Sequence, residues 1–210
     1  MKKINYILQK SKNLIQMNKY NLKTLALLLF SLAIIFSLLA SVYANETNEK
    51  ISDKIIRLHV VANSDSEEDQ QLKRNVRDKI LNYMEKRLAK SENLNNSISI
   101  VKNELEKIIE VANKEIKINK KNYRATALVG MFPFPTKTYG DIALPAGSYQ
   151  ALRIQLGKGE GANWWCVMFP PLCFVDATHG TIPESMKKKL KSTLSNDDYM
   201  LVTSGGEVPV

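Results

Sequence analysis

Two histidines, two cysteines, an acidic cluster and a glycine cluster are the residues of this chain whose types and spacing could do chemistry. A hydrolytic triad needs a histidine beside a nucleophile and a carboxylate, and the G-x-S-x-G elbow is absent. Zinc asks for three or four His or Cys ligands, and HExxH is absent too. His59 therefore reads as a strand residue that packs or hydrogen-bonds, and His179 as a loop residue. Asn63–Asp69 (NSDSEED) offers four carboxylates, but it lacks the EF-hand glycine and the twelfth-position glutamate. Ser66 as an N-cap, with Glu67, Glu68 and Asp69 in the first helical turn, is the simpler reading. Gly157, Gly159 and Gly161 (GKGEG) are followed by NWWCV rather than by a Ser or Thr that opens a helix. They mark a hairpin turn and not a phosphate loop. No metal or cofactor is expected.

Cys166 and Cys173 leave two readings open. They could pair, which requires the chain to reverse at Phe169-Pro170-Pro171-Leu172 and bring their Cα atoms within about 7 Å; the closed loop is short and would contribute roughly 2.5 kcal/mol. Alternatively they are two buried thiols that behave as small apolar groups. They sit in the densest segment of the chain, Asn163–Phe174 (NWWCVMFPPLCF). On a strand Trp164 and Trp165 point to opposite faces, so one can fill a core while the other is exposed or covers the opposite face. Tryptophan dominates binding hot spots, and a Pro-Pro turn lowers the entropy lost on binding. Trp164, Trp165, Phe169, Pro170 and Pro171 are accordingly the candidates for contacting a partner or shaping the contact, with the Arg57/His59 face a weaker one. An exported hydrolase acting on cell wall or peptide would have to use His59, Asp65 and Ser148, which no spacing brings together.

The elements that must position these residues can be read from periodicity. Ile55–Ala62 (IIRLHVVA) is a strand with Ile56, Leu58 and Val60 on one face and Arg57 and His59 on the other. A helix from Ser66 to about Lys90 carries an apolar stripe at Leu72, Val76, Ile80, Met84 and Leu88. A second helix fits Ser97 to about Ile116. Tyr123–Met131 alternates as a strand, Phe132–Gly140 is a proline-rich turn, and Ile142–Leu144, Tyr149–Leu156 and Trp164–Met168 are further strands. A short basic helix (about Glu184–Leu194) and a strand near Tyr199–Val202 close the chain. The order β-α-α-β-β-β plus a short C-terminal helix predicts an α+β fold, an antiparallel sheet with two helices on one face.

The formal net charge of +9 is uneven. Six of the 30 basic residues lie in residues 1–44, which hold no acid, so the remainder has 24 basic against 21 acidic residues. The charge therefore argues for no nucleic-acid partner. Leu25–Ala40 is an uncharged apolar run that follows this basic region and ends near Val42-Tyr43-Ala44. That pattern fits a signal peptide cut between Ala44 and Asn45, with an uncleaved anchor as the alternative. Either way the basic flank stays in the cytoplasm and the rest is exported. The expected organisation is residues 1–44 as signal or anchor, 45–54 as a flexible lead, and 55–210 as one exported domain whose membrane contact runs through the N-terminal segment alone.

Ile56–Ile80, Phe134–Asp176 and the export signal, in this order and spacing, resemble the stage II sporulation protein R family of endospore-forming Firmicutes. NWWC followed by FPPLCF is the specific part of the match. The resemblance implies a secreted intercellular signal and not an enzyme. It would be made in the forespore, exported to the space between the two sporulation membranes, and required there to activate the membrane-embedded aspartic protease of the mother cell that processes the sigma-E precursor. Family members carry a further strand beyond the region of Tyr199, whereas this chain ends at Val210, so that strand is expected to be absent or short.

Overall fold

A computed structural model describes residues 22–43, 50–89, 91, 93–173 and 182–203. The expected cleavage site at Ala44 and Asn45, and His179, lie outside them. Two units form, residues Met1–Glu46 and Thr47–Val210. In the first, helix α1 (Leu22–Tyr43) is 22 residues long and uncharged but for Lys23. It rises about 33 Å, long and apolar enough to cross a hydrocarbon core of about 30 Å. The hydroxyls of Ser31 and Ser41 donate to the carbonyls of Leu28 and Ser37, which spares them an unpaired state in an apolar setting.

The second unit is built on a four-stranded sheet of order β2-β5-β1-β6, formed by β1 (Ile56–Val61), β2 (Ala125–Phe134), β5 (Gly147–Leu156) and β6 (Asn163–Phe169). The sheet is mostly antiparallel, but β1 and β5 run parallel. All six residues of β1 are buried, as befits a strand with neighbours on both edges. Its Ile56, Leu58 and Val60 meet Leu152, Ile154 and Leu156 of β5 in the larger core. The stripe of α2 (Glu67–Leu88), Val101 of α3 (Leu94–Asn103) and Ile108, Ala112 and Ile116 of α4 (Leu105–Ile118) cover that face.

The expected second helix is two helices that meet at Glu104. Neither proline nor glycine breaks them there. The Glu104 carboxylate is instead held from α2, by the Tyr83 hydroxyl and by the Arg87 guanidinium at 3.2 Å.

The opposite face is covered at one end by a smaller core, in which Tyr149, Ala151 and Val167 meet Ile142 and Leu144, Ile51 and Ile55, and Leu190, Leu194 and Val202. The residues expected to form a proline-rich turn extend β2 to Phe134 and then supply β3 (Lys137–Tyr139), which pairs with β4 (Ile142–Leu144), an expected strand, in a two-stranded ribbon. Leu190 comes from α5 (Glu184–Thr193), near its expected limits. Val202 comes from α6 (Asn196–Thr203), where a strand was expected. Ser195 explains the difference. Its hydroxyl accepts the Asp198 N–H at 3.1 Å and caps a helix whose first turn holds Asp197 and Asp198. Ile51, inside the stretch expected as a flexible lead, is fully buried.

Candidate functional site

The acidic cluster and the glycine cluster form one interlocked structure, and it leaves little free for a ligand. Ser66 caps α2 by accepting the Asp69 N–H. The Asp69 carboxylate accepts from Asn63 Nδ2, Ser64 Oγ and Tyr123 Oη at 2.6–2.7 Å. Burial works against its charge, but these three donors and nearby Lys121 outweigh it and hold the carboxyl below its usual range. Burial, followed by the bond to Asp69, pushes the Tyr123 hydroxyl up. Asp65 accepts the Ala162 N–H at 2.6 Å and faces Gln70. Asn63 takes the Lys158 N–H from the glycine turn. Gly157 there adopts a left-handed φ of 54°, and a Cβ on Gly161 would sit 2.2 Å from the Ser64 carbonyl oxygen. Among the described residues no group of His, Cys, Asp and Glu could hold a metal ion.

The three residues a hydrolase would need are kept apart. Ser148 lies on β5 at even parity and faces the helix side, whereas His59 faces away from it. Asp65 is tied to the glycine turn.

Trp164 and Trp165 separate to the two faces of β6 as strand alternation requires. Trp164 packs on the larger core with the Arg77 guanidinium 3.9 Å above its ring, a cation–π contact, and Arg77 also pairs with Asp78. Trp165 lies on the other face, half-buried, stacked on His59 with ring centroids 3.7 Å apart and edge-on to Phe134 at 4.7 Å. His59 Nε2–H donates to Asn163 Oδ1 at 2.7 Å. Burial lowers the His59 pKa; the Asn163 bond opposes this and the charge of Arg153 adds to it.

One row crosses all four strands on this face: Leu128, Arg153, His59 and Trp165. The row on the open side of it is Thr126, Gln155, Val61 and Asn163; the row on the covered side is Gly130, Ala151, Arg57 and Val167.

Arg57 is fully buried. Its guanidinium lies 4.4 Å from the Phe134 ring centroid and 4.9 Å from that of Tyr149. Nη2 donates to Tyr139 Oη at 2.9 Å, and that hydroxyl donates to the Trp165 carbonyl. Nε and Nη1 have no partner among the described residues, and neither does Arg153 Nε. Burying a guanidinium without a carboxylate costs several kcal/mol, which the two aromatic faces offset only in part.

The remaining sequence candidates are placed differently from one another. Phe169 and Pro170 are buried and Pro171 is half-buried. A register shift between Ile56 and Arg57 turns Phe169 to the helix side beside Met168, so alternation along β6 fails at its last residue. Phe169 and Pro170 can therefore act only by shaping the segment. The turn is closed by the Leu172 and Cys173 N–H groups donating to the Val167 carbonyl and by a Cys166–Cys173 disulfide with Cα atoms 5.3 Å apart. An apolar pocket of about 260 Å³ opens between Met84 and Leu88 of α2, Met168 and Phe169, and Met186 of α5. Sequence reading missed Arg153 and Leu128. The available signal was the strand period, which puts an arginine at the centre of a sheet face with no acid beside it.

The fold defines a class: a small α+β domain on a chain that also carries a long apolar N-terminal helix. The comparisons narrow it. The profile of the family described as stage II sporulation protein R matches residues 52–179. The Bacillus subtilis (strain 168) protein named stage II sporulation protein R is 34% identical over 174 residues, which cover 80% of this chain and 78% of that one. The chain belongs to the stage II sporulation protein R family. No solved structure matches it.

Proposed function

We propose that this chain is a sporulation signal. It is exported from the forespore into the intermembrane space, where it binds the membrane-embedded aspartic protease of the mother cell and switches on processing of the sigma-E precursor. The observation that carries this reading is family membership across the whole sheet. Helix α1 supports export or anchoring, and half-buried Trp165 on an incompletely covered face supports recognition. The ligand acts by differential affinity: it binds the active state of the protease more tightly and shifts its population. No step requires a cofactor.

The test is co-expression of the protease and the sigma-E precursor in a non-sporulating host, with and without this chain, reading precursor cleavage on a blot. Cleavage that depends on the chain and on residues 1–44 is the expected result. Absence of cleavage with the chain exported and folded refutes the reading. Ser148→Ala, at an exposed site away from the aromatic face, separates the two classes of function: the signal keeps its activity, whereas a hydrolase using that serine loses it.

A further inference from the structure

Among the described residues, the face of the sheet opposite α2–α4 is covered only in part. The smaller core closes it from the Arg57 row onward. Beyond that row, Leu128 is 63% exposed, Thr126 and Asn163 are exposed, and Arg153 and Trp165 are half-buried. The three rows described above contain two arginines and no aspartate or glutamate. Neither arginine forms an ion pair among the described residues, and Arg153, half-buried, keeps part of its side chain open to solvent although its Nε is buried without an acceptor. His59, which stands between Arg153 and Trp165, is disfavoured from charging by burial and so adds no second positive charge beside Arg153. A planar guanidinium flanked by Leu128, Phe132 (5.7 Å from Arg153 Cζ) and the His59–Trp165 stack is a partial site that lacks its acid. A carboxylate is the group whose geometry and charge complete such a fork.

We propose that this open end of the sheet face is the surface that docks the activated protein. Its occupant there is a segment of that protein carrying an aspartate or glutamate next to an apolar side chain. The carboxylate meets Arg153, and the apolar neighbour lies on Leu128 and the exposed part of Trp165. The inference rests on the signalling reading and adds the face and the chemistry of the partner. It also moves the contact from the Phe169–Pro171 turn, most of which is interior, to residues on β2, β5 and β6.

The experiment uses the full chain in the co-expression assay. Leu128→Asp and Leu128→Lys remove the same apolar group and add opposite charges at a position too exposed to govern folding. Leu128→Asp should cut cleavage at least tenfold and leave it at least fivefold below Leu128→Lys, because the new carboxylate occupies Arg153 and repels the incoming one. A photo-crosslinking amino acid at position 128 should attach to the protease, and one at Lys102, exposed on α3, should not. Equal effects of the two substitutions overturn the carboxylate. Crosslinking from position 102 and not from 128, or from 128 into lipid alone, overturns the docking face while wild-type cleavage keeps the signalling reading standing. Failure of the wild-type chain to support cleavage overturns both.

Discussion

Arg57 shows what a single residue can conceal. In sequence it is a polar residue alternating with isoleucine and leucine, which predicts a solvent face, yet it is fully buried between rings that come from Phe134 and Tyr149. Those partners lie far along the chain, so no local pattern announces them. With Nε and Nη1 unpaired, Arg57→Met should be neutral or stabilising, by up to about 3 kcal/mol. Arg57→Ala, which leaves a cavity, should cost about 3 kcal/mol; urea unfolding monitored by tryptophan fluorescence would separate the two. Asp69 is the opposite case, since the Ser66 cap was legible from neighbours three residues apart. Its folded pKa is depressed, so its contribution is complete above the unfolded value of about 3.9 and is lost as pH falls through the folded value. Melting temperature should therefore drop on acidification through pH 4 and below. Asp69→Asn should be less stable at neutral pH and show a flatter acid limb; an unchanged acid limb would assign the acid sensitivity to other groups. Trp165→Ala should abolish signalling while the exported protein stays folded. Full activity would remove this face from the mechanism.

At the scale of elements, helices with a clean stripe and a cap were readable and the errors sit where two signals compete. Tyr199–Val202 is a short apolar run that period alone cannot assign, and the Ser195 cap decides it as helix. The break at Glu104 is imposed by tertiary contact with α2, which single-segment reading does not contain. The parallel pairing of β1 with β5 is likewise a property of topology, and the register shift in β6 reverses the side of Phe169. The turn that ends β6 is fastened by the disulfide. Cys166→Ser should destabilise the domain by roughly 2.5 kcal/mol on the chain-entropy account. Its unfolding curve should coincide with that of the reduced wild type, which makes denaturation with and without reductant the check.

The whole molecule is two units, and the second has its own cores. Deleting residues 1–44 should leave that unit folded, with a cooperative melt, yet abolish activity in the co-expression assay because nothing then carries it across. The candidate site was legible in part: Trp165 and His59 were named from the strand pattern, whereas Arg153 and Leu128 became candidates only when the register aligned them. The same register has a kinetic meaning. Both partners of the central strand, β5 and β6, lie between residues 147 and 169, after three helices and β2. Until that late stretch is available, β1 has nothing to pair with and its apolar residues have no sheet to join. Closing so distant a contact is slow. A chain whose first strand waits for partners so late in the sequence stays open longer during synthesis, which is the state that the export proposed above would need.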